Sequence, residues 1–229
     1  MQVRTYDELS ARLGLQFRWR LDELDSIRAG ISAAKSDAET RSLVRGGVAL
    51  LYAHWEGFIK EAAASYLEYV AFQVKVRRTR VRDLAPPFLG LALAEMCPLD
   101  PHDRVWFTAA RIGQFLRSDE DQRARIRTTA VVDTESNLTY RVLERILRAL
   151  GLDASPYELK RHLIDRSLVE ARNSIAHGEH FIVQKGDFMD LYDEFVPLLR
   201  DFKNQVENAA AQDSHALPAA PPSPPDSPA

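Results

Sequence analysis

Apolar residues recur along most of the chain at spacings of three, four and seven, the period of a helix buried on one face. Phe17, Leu21, Leu24 and Ile31 keep that spacing in a first segment, and Thr5 with Glu8 supplies a capping-box start. The pattern predicts a helix from there to about Ala34. Ser36 and Glu39 repeat the start signal, and Val44, Val48, Leu51, Trp55, Phe58 and Ala62 share one face of a second helix reaching about Lys75. At about 1.5 Å per residue that helix is close to 60 Å long, which invites a bend near Gly57 or an early break. The short turn between the two predicts an antiparallel hairpin.

The next stretch is less regular. Lys75, Arg77, Arg78, Arg80 and Arg82 form a basic run, and Pro86-Pro87 end any helix there. Asp100-Pro101 reads as a helix start, followed by a stripe of Val105, Ala109, Ile112 and Leu116. Ser118 to Glu135 is polar, either a loop with a short helix or an extended segment around Ala130-Val131-Val132. From Ser136, Leu138, Val142, Ile146 and Ala149 predict a short helix stopped by Gly151, with Leu152 covering its end. Ser155-Pro156-Tyr157-Glu158 stacks three start signals for a helix running to His177 and ending at Gly178. Asp187 is expected to cap the last helix, which turns Phe188, Leu191, Phe195, Leu198, Phe202 and Val206 inward. Pro197 should kink or divide it. Only His180 to Gln184 hints at a strand.

The predicted fold is therefore all-α, a helical bundle of about five to six helices with long antiparallel members over residues 1–211. The Pro-, Ala- and Ser-rich segment 212–229 has almost nothing to bury and is expected to be a disordered tail.

Composition narrows the function. A chain of 229 residues is long enough for one sizeable core. Its net charge of -3 and pI near 6.1 exclude a generally basic nucleic-acid coat but leave room for a local basic site. The single cysteine, Cys97, cannot form an internal disulfide or a multi-cysteine metal cluster, which predicts a reducing compartment. No apolar run approaches the roughly 18–20 residues that span a bilayer. The charged start, Met1 to Gly14, lacks the apolar core of an export signal, so a cytoplasmic, membrane-free setting is expected.

The chemistry concentrates in Ala171 to Glu179, ARNSIAHGE. On a regular helix Ile164, Leu168, Ala171 and Ile175 form the buried stripe, while Arg166, Glu170, Asn173 and His177 form a polar stripe opposite. Arg172 lies on the shoulder between them. One reading makes Arg166 and Glu170 an exposed i, i+4 ion pair and His177 a residue favoured at a helix C-terminus. The other is a phosphodiester site. Arg172 would grip phosphate through its planar fork, His177 would move protons near neutral pH, and Asn173 would orient the imidazole or a phosphate oxygen. Spacing alone leaves both open.

Arg172-Asn173-Ser174-Ile175-Ala176-His177-Gly178 resembles the R-x4-6-H signature of the HEPN superfamily, whose common active form begins Arg-Asn and ends in His. Leu50 to Lys60, LLYAHWEGFIK, is similar to a block of MAE-type HEPN-like nucleases, as are Ser136-Asn137-Leu138 and Leu150-Gly151-Leu152-Asp153. The resemblance covers roughly Arg41 to Asn208 in order. It implies a helical bundle acting as a metal-independent endoribonuclease that needs no cofactor. In such a family the ribose 2′-hydroxyl attacks the adjacent phosphate, leaving a 2′,3′-cyclic phosphate and a 5′-hydroxyl. Two protomers usually join their motifs in one cleft, which implies a homodimer. Carried over by position, Arg172 is the phosphate clamp, His177 the general acid or base, and Asn173 an orienting group.

Other residues are candidates for substrate binding. His54, Glu56, Lys60 and Glu170 could line the same cleft, although Glu56 and Lys60 at i, i+4 also suit an exposed ion pair beside a packed Trp55. Arg77, Arg78, Arg80 and Arg82 could track RNA phosphates. His162 and His180 lack partners at metal-ligand spacing, so no metal site is expected. No Gly-rich phosphate loop, G-x-S-x-G elbow or H-E-x-x-H occurs. The leading expectation is a ribonuclease used as a toxin or defence effector, with an antitoxin or immunity protein as a partner. The alternative is a non-catalytic helical module that binds RNA or protein.

Overall fold

Thr5 Oγ1 accepts the Glu8 backbone N–H, and Glu8 Oε2 accepts the Thr5 N–H, each at 3.2 Å. This reciprocal box opens α1, Tyr6–Ala33. The computed structural model describes residues 2–96, 122–129, 131–134, 137–180 and 182–218. Ser36 caps α2, Asp37–Val76, by accepting the Glu39 N–H at 3.2 Å. No early break occurs: α2 runs through 40 residues without interruption. Its stripe from Val44 to Ala62 is wholly buried, so packing carries the helix on through the glycine.

α1 and α2 form the expected antiparallel hairpin, and α7, Lys185–Ala211, completes a three-helix core against both. Trp55 from α2 meets Phe195 from α7 edge to face, with centroids 5.1 Å apart. Gly47 sits where the three helices converge. A Cβ there would lie 2.7 Å from Phe188 Cε2 and 3.0 Å from Ile31 Cδ1. The last helix starts earlier than expected. Gln184 is its cap, and Asp187 is the reciprocal partner, accepting the Gln184 N–H at 2.9 Å. Pro197 does not divide it. Pro197 and Asp193, whose carbonyl loses its helical donor, are both exposed, while Phe195, Val196, Leu198 and Leu199 anchor either side in the core.

α3, Pro86–Met96, packs on α4, Tyr140–Leu150. Thr139 caps α4, accepting the Val142 N–H at 3.4 Å. The Gly151 stop is as expected: Leu152 N–H reaches the Leu147 carbonyl at 2.9 Å. The segment around Ala130-Val131-Val132 is no strand where it is described, and neither are His180 and Ile182 to Gln184. The stripe from Val105 to Leu116 lies outside the described residues.

The Ser155-to-His177 helix departs most from expectation. It divides into α5, Ser155–Glu158, a π-helical segment, Leu163–Glu170, and α6, Ala171–Ala176. Ser155 is not the cap; its N–H and hydroxyl both donate to Asp153 Oδ1, at 2.9 and 2.7 Å. In the π-helix Ile164, Leu168 and Val169 are buried.

The tail begins later than Gln212. After α7 the chain reverses at Asp213, and His215 is buried. Ala85 N–H donates to the His215 carbonyl at 3.0 Å, and Leu217 N–H to the Asp83 carbonyl at 2.8 Å. Residues 219–229 lie outside the described residues. Among the described residues no helix is long and apolar enough to cross a membrane.

Candidate active site

Ile164, Leu168 and Ala171 are buried as expected, and beside them stands the half-buried Arg172. It turns into a groove of about 500 Å³ between α2 and α6. Tyr52, Glu56 and Lys60, spaced by four along α2, form one wall of this groove. Ala49, Ala53 and Gly57 form its floor, and Arg172, Ile175 and Ala176 form the facing wall.

Arg172 is held from three sides. Its Nη1 donates to Asn137 Oδ1 at 3.1 Å and to Asn173 Oδ1 at 2.8 Å. Its guanidinium carbon lies 4.4 Å over the Tyr52 ring. Both hydrogen bonds use one nitrogen. Among the described residues Nε and Nη2 donate to nothing, so the side-on edge of the fork is open.

Tyr52 is fixed in turn by the Leu138 backbone N–H, which donates to its hydroxyl at 2.9 Å. Burial pushes the Tyr52 phenol up to about 12, the Leu138 hydrogen bond opposes that rise, and the Glu56 carboxylate adds to it. It is a neutral phenol at physiological pH. Glu56 accepts the Thr134 hydroxyl at 2.5 Å and lies 3.6 Å from Lys60 Nζ. The expected Glu56–Lys60 pair is present, but Glu56 is half-buried and tied to the loop before α4.

His177 is exposed and follows the groove wall immediately, after Ala176. Gly178, at φ +74°, turns the chain, with Glu179 N–H on the Ser174 carbonyl at 2.9 Å and Gly178 N–H on the Ile175 carbonyl at 3.1 Å. This Schellman end fixes the backbone beneath the imidazole. Among the described residues the His177 side chain makes no hydrogen bond, and Asn173 contacts Arg172 rather than His177.

The remaining candidates are not brought together. Glu170 is exposed and does not line the groove, and no ion pair joins it to Arg166. His54 faces the opposite side of α2, buried against α1. Its Nε2 is 3.0 Å from Glu23 Oε2, off the axis of a hydrogen bond, and its ring meets Trp19 edge to face at 5.1 Å. Burial lowers its pKa, Glu23 opposes this and Arg20 adds to it. Arg77, Arg78 and Arg80 lie at the far end of α2, about 25 Å of helix beyond Lys60. Arg77 pairs there with Asp213 at 2.7 Å. Arg78 takes a left-handed φ of 55°, and the Arg80 backbone bridges to Arg123.

Sequence reasoning gave no role to Tyr52, Asn137 or Thr134, although Leu50 to Lys60 and Ser136-Asn137-Leu138 resemble family blocks. The four-residue spacing of Tyr52, Glu56 and Lys60 was the available signal for the first. Among the described residues no group of three or more His, Cys, Asp or Glu side chains is arranged to hold a metal ion.

A family model described as RiboL-PSP-HEPN matches residues 15–208. The chain belongs to the RiboL-PSP-HEPN family. The match runs from within α1 through most of α7 and so includes both walls of the groove. No curated protein matches the chain, and no solved structure does. HEPN domains are commonly ribonucleases, so membership points to RNA cleavage or nucleotide binding as the class of function.

Proposed function

We propose that this RiboL-PSP-HEPN protein is a metal-independent endoribonuclease, with Arg172 and His177 acting in a cleft shared by two copies. The observation that carries the reading is the open edge of Arg172. Its guanidinium is immobilised through Nη1 and the Tyr52 face while Nε and Nη2 are left to the groove. A planar fork presented this way matches two phosphate oxygens and is organised before substrate arrives.

In the proposed step the ribose 2′-hydroxyl loses its proton to a base and its oxygen bonds to the adjacent phosphorus. The bond from phosphorus to the 5′-oxygen breaks, and that oxygen takes up a proton. Negative charge grows on the non-bridging oxygens, where the Arg172 edge neutralises it. His177 serves as base or acid, since an imidazole exchanges protons near neutral pH. Within one protomer His177 is exposed beside the groove, which suits a group delivered to a second copy's Arg172. An unrestrained ribonuclease would cut its own cell's RNA, so the proposal includes an inhibitory partner of antitoxin or immunity type, and a toxin or defence role.

The test is incubation of the full chain with mixed single-stranded and structured RNA in excess EDTA, beside Arg172→Ala and His177→Ala. Fragments ending in 2′,3′-cyclic phosphate, missing with both variants, are expected. Full cutting by either variant contradicts the assignment. A second reading, a non-catalytic binding module, draws on the absence of any Arg172–His177 contact in one protomer; folded protein that binds RNA and never cuts it would favour that reading.

A further inference from the structure

α4 is divided sharply along its length. Val142, Leu143, Ile146, Leu147 and Leu150 are buried, while Arg141, Arg145 and Arg148 are exposed at i, i+4 and i+7. One carboxylate, Glu144, stands among the three arginines and pairs with Arg148 at 2.7 Å. With Thr139 and Val142 these residues border a concavity of about 520 Å³. The helix thus carries a formal charge of +2 on a chain whose net charge is -3.

The segment that precedes α4 ties the stripe to the groove. Asn137, two residues before the Thr139 cap, accepts from Arg172, and the Leu138 N–H donates to Tyr52. Arg145 Nη2 donates to the Asp133 carbonyl at 2.8 Å, in the loop whose Thr134 holds Glu56. Arg141 to Arg148 covers about 10 Å of helix leading away from Arg172. A polyanion bound at Arg172 and longer than one phosphate would meet these guanidinium groups next.

We propose that the exposed arginine stripe of α4 binds the sugar-phosphate backbone of the RNA strand flanking the phosphate held at Arg172. This rests on the ribonuclease reading for its substrate class, and it moves strand binding from the Arg77–Arg80 run to α4. Arg141 and Arg148 are the principal contacts, with Arg145 also bracing the loop beneath.

The experiment measures binding of a single-stranded RNA 12-mer to the full chain at several salt concentrations, in the His177→Ala background so that RNA stays intact. Each phosphate contact contributes about 0.7 to the slope of log affinity against log salt for single strands. Arg141→Gln/Arg148→Gln is therefore expected to weaken binding and lower the slope by about 1.4. Arg141→Lys/Arg148→Lys, which preserves charge, is expected to keep it. Arg18→Gln/Arg41→Gln removes the same charge from exposed positions on α1 and α2 and controls for net charge. Equal slopes for the two glutamine pairs, or a lysine pair that loses as much as the glutamine pair, would overturn the proposal. If His177-intact protein shows the stripe-dependent slope yet leaves RNA uncut, the binding track stands and the nuclease reading falls. Cutting with equal slopes has the opposite meaning.

Discussion

The guanidinium of Arg172 lies over the ring of Tyr52, carbon to centroid 4.4 Å, although 120 positions separate the two residues in the chain. That contact joins α6 to α2, and the Leu138 N–H on the Tyr52 hydroxyl joins the segment before α4 to the same point. Removing only the hydroxyl separates two effects. Tyr52→Phe leaves the Leu138 N–H buried without an acceptor, expected to cost about 1–3 kcal/mol by denaturant unfolding. Tyr52→Leu also removes the face under Arg172, and cleavage by it is expected to fall below that of Tyr52→Phe.

Arg172→Lys retains the charge and loses the fork. A point ammonium cannot use Asn137, Asn173 and the Tyr52 ring while presenting two parallel donors to phosphate. The single-turnover cleavage rate is expected to drop about 10²–10³-fold, the scale for losing one organised oxyanion donor. A lysine variant that cuts at the native rate would show the fork to be dispensable.

Gly47→Ala is expected to destabilise the fold despite the better helix propensity of alanine. The new methyl would lie 2.7 Å from Phe188 Cε2, and that ring is fully buried. Overpacking of this kind typically costs about 1–3 kcal/mol, more than the roughly 1 kcal/mol that helix propensity returns. The midpoint of urea unfolding reports the sign.

Stability should fall in mild acid. His215 is buried with neither ring nitrogen hydrogen-bonded. Burial lowers its pKa, nearby Asp213 opposes this and Arg77 adds to it. His54 is lowered in the same direction. Below about pH 6.5, where a histidine in the unfolded chain takes up its proton, the unfolded state binds more protons than the native one. The contribution is therefore intact above that pH and is lost as the pH falls through the lowered native values. Thermal melts between pH 8 and 5 should show a declining Tm, with a shallower decline in His215→Leu.

Much of this fold is written in local signals. The Thr5–Glu8 box, the Ser36 cap, the Gly151 and Gly178 stops and the stripes of α2 and α7 all depend on residues within a few turns of one another. What escapes the sequence is decided at longer range. The π-helical segment leaves no break in the apolar spacing, because Ile164, Leu168 and Ala171 keep intervals of four and three through it. The reversal at Asp213 buries His215 against α3, 127 residues from Phe88, whose ring it meets edge to face at 6.3 Å. For the site, the chain displays Arg172, Asn173 and His177 as a motif. It does not display that Asn173 holds Arg172, that Asn137 arrives from 35 positions away, or that His54 points into α1 rather than the groove.

The central claim, that Arg172 and His177 cut RNA from a cleft shared by two copies, is tested most directly by mixing two inactive variants. Arg172→Ala and His177→Ala proteins are assayed separately and after co-refolding, in excess EDTA, on one end-labelled RNA, beside the unaltered chain. The account predicts no cutting by either variant alone and a return of cyclic-phosphate products in the mixture, where a mixed dimer holds one intact Arg172 and one intact His177. An unaltered chain that cuts while the mixture stays inactive would contradict it.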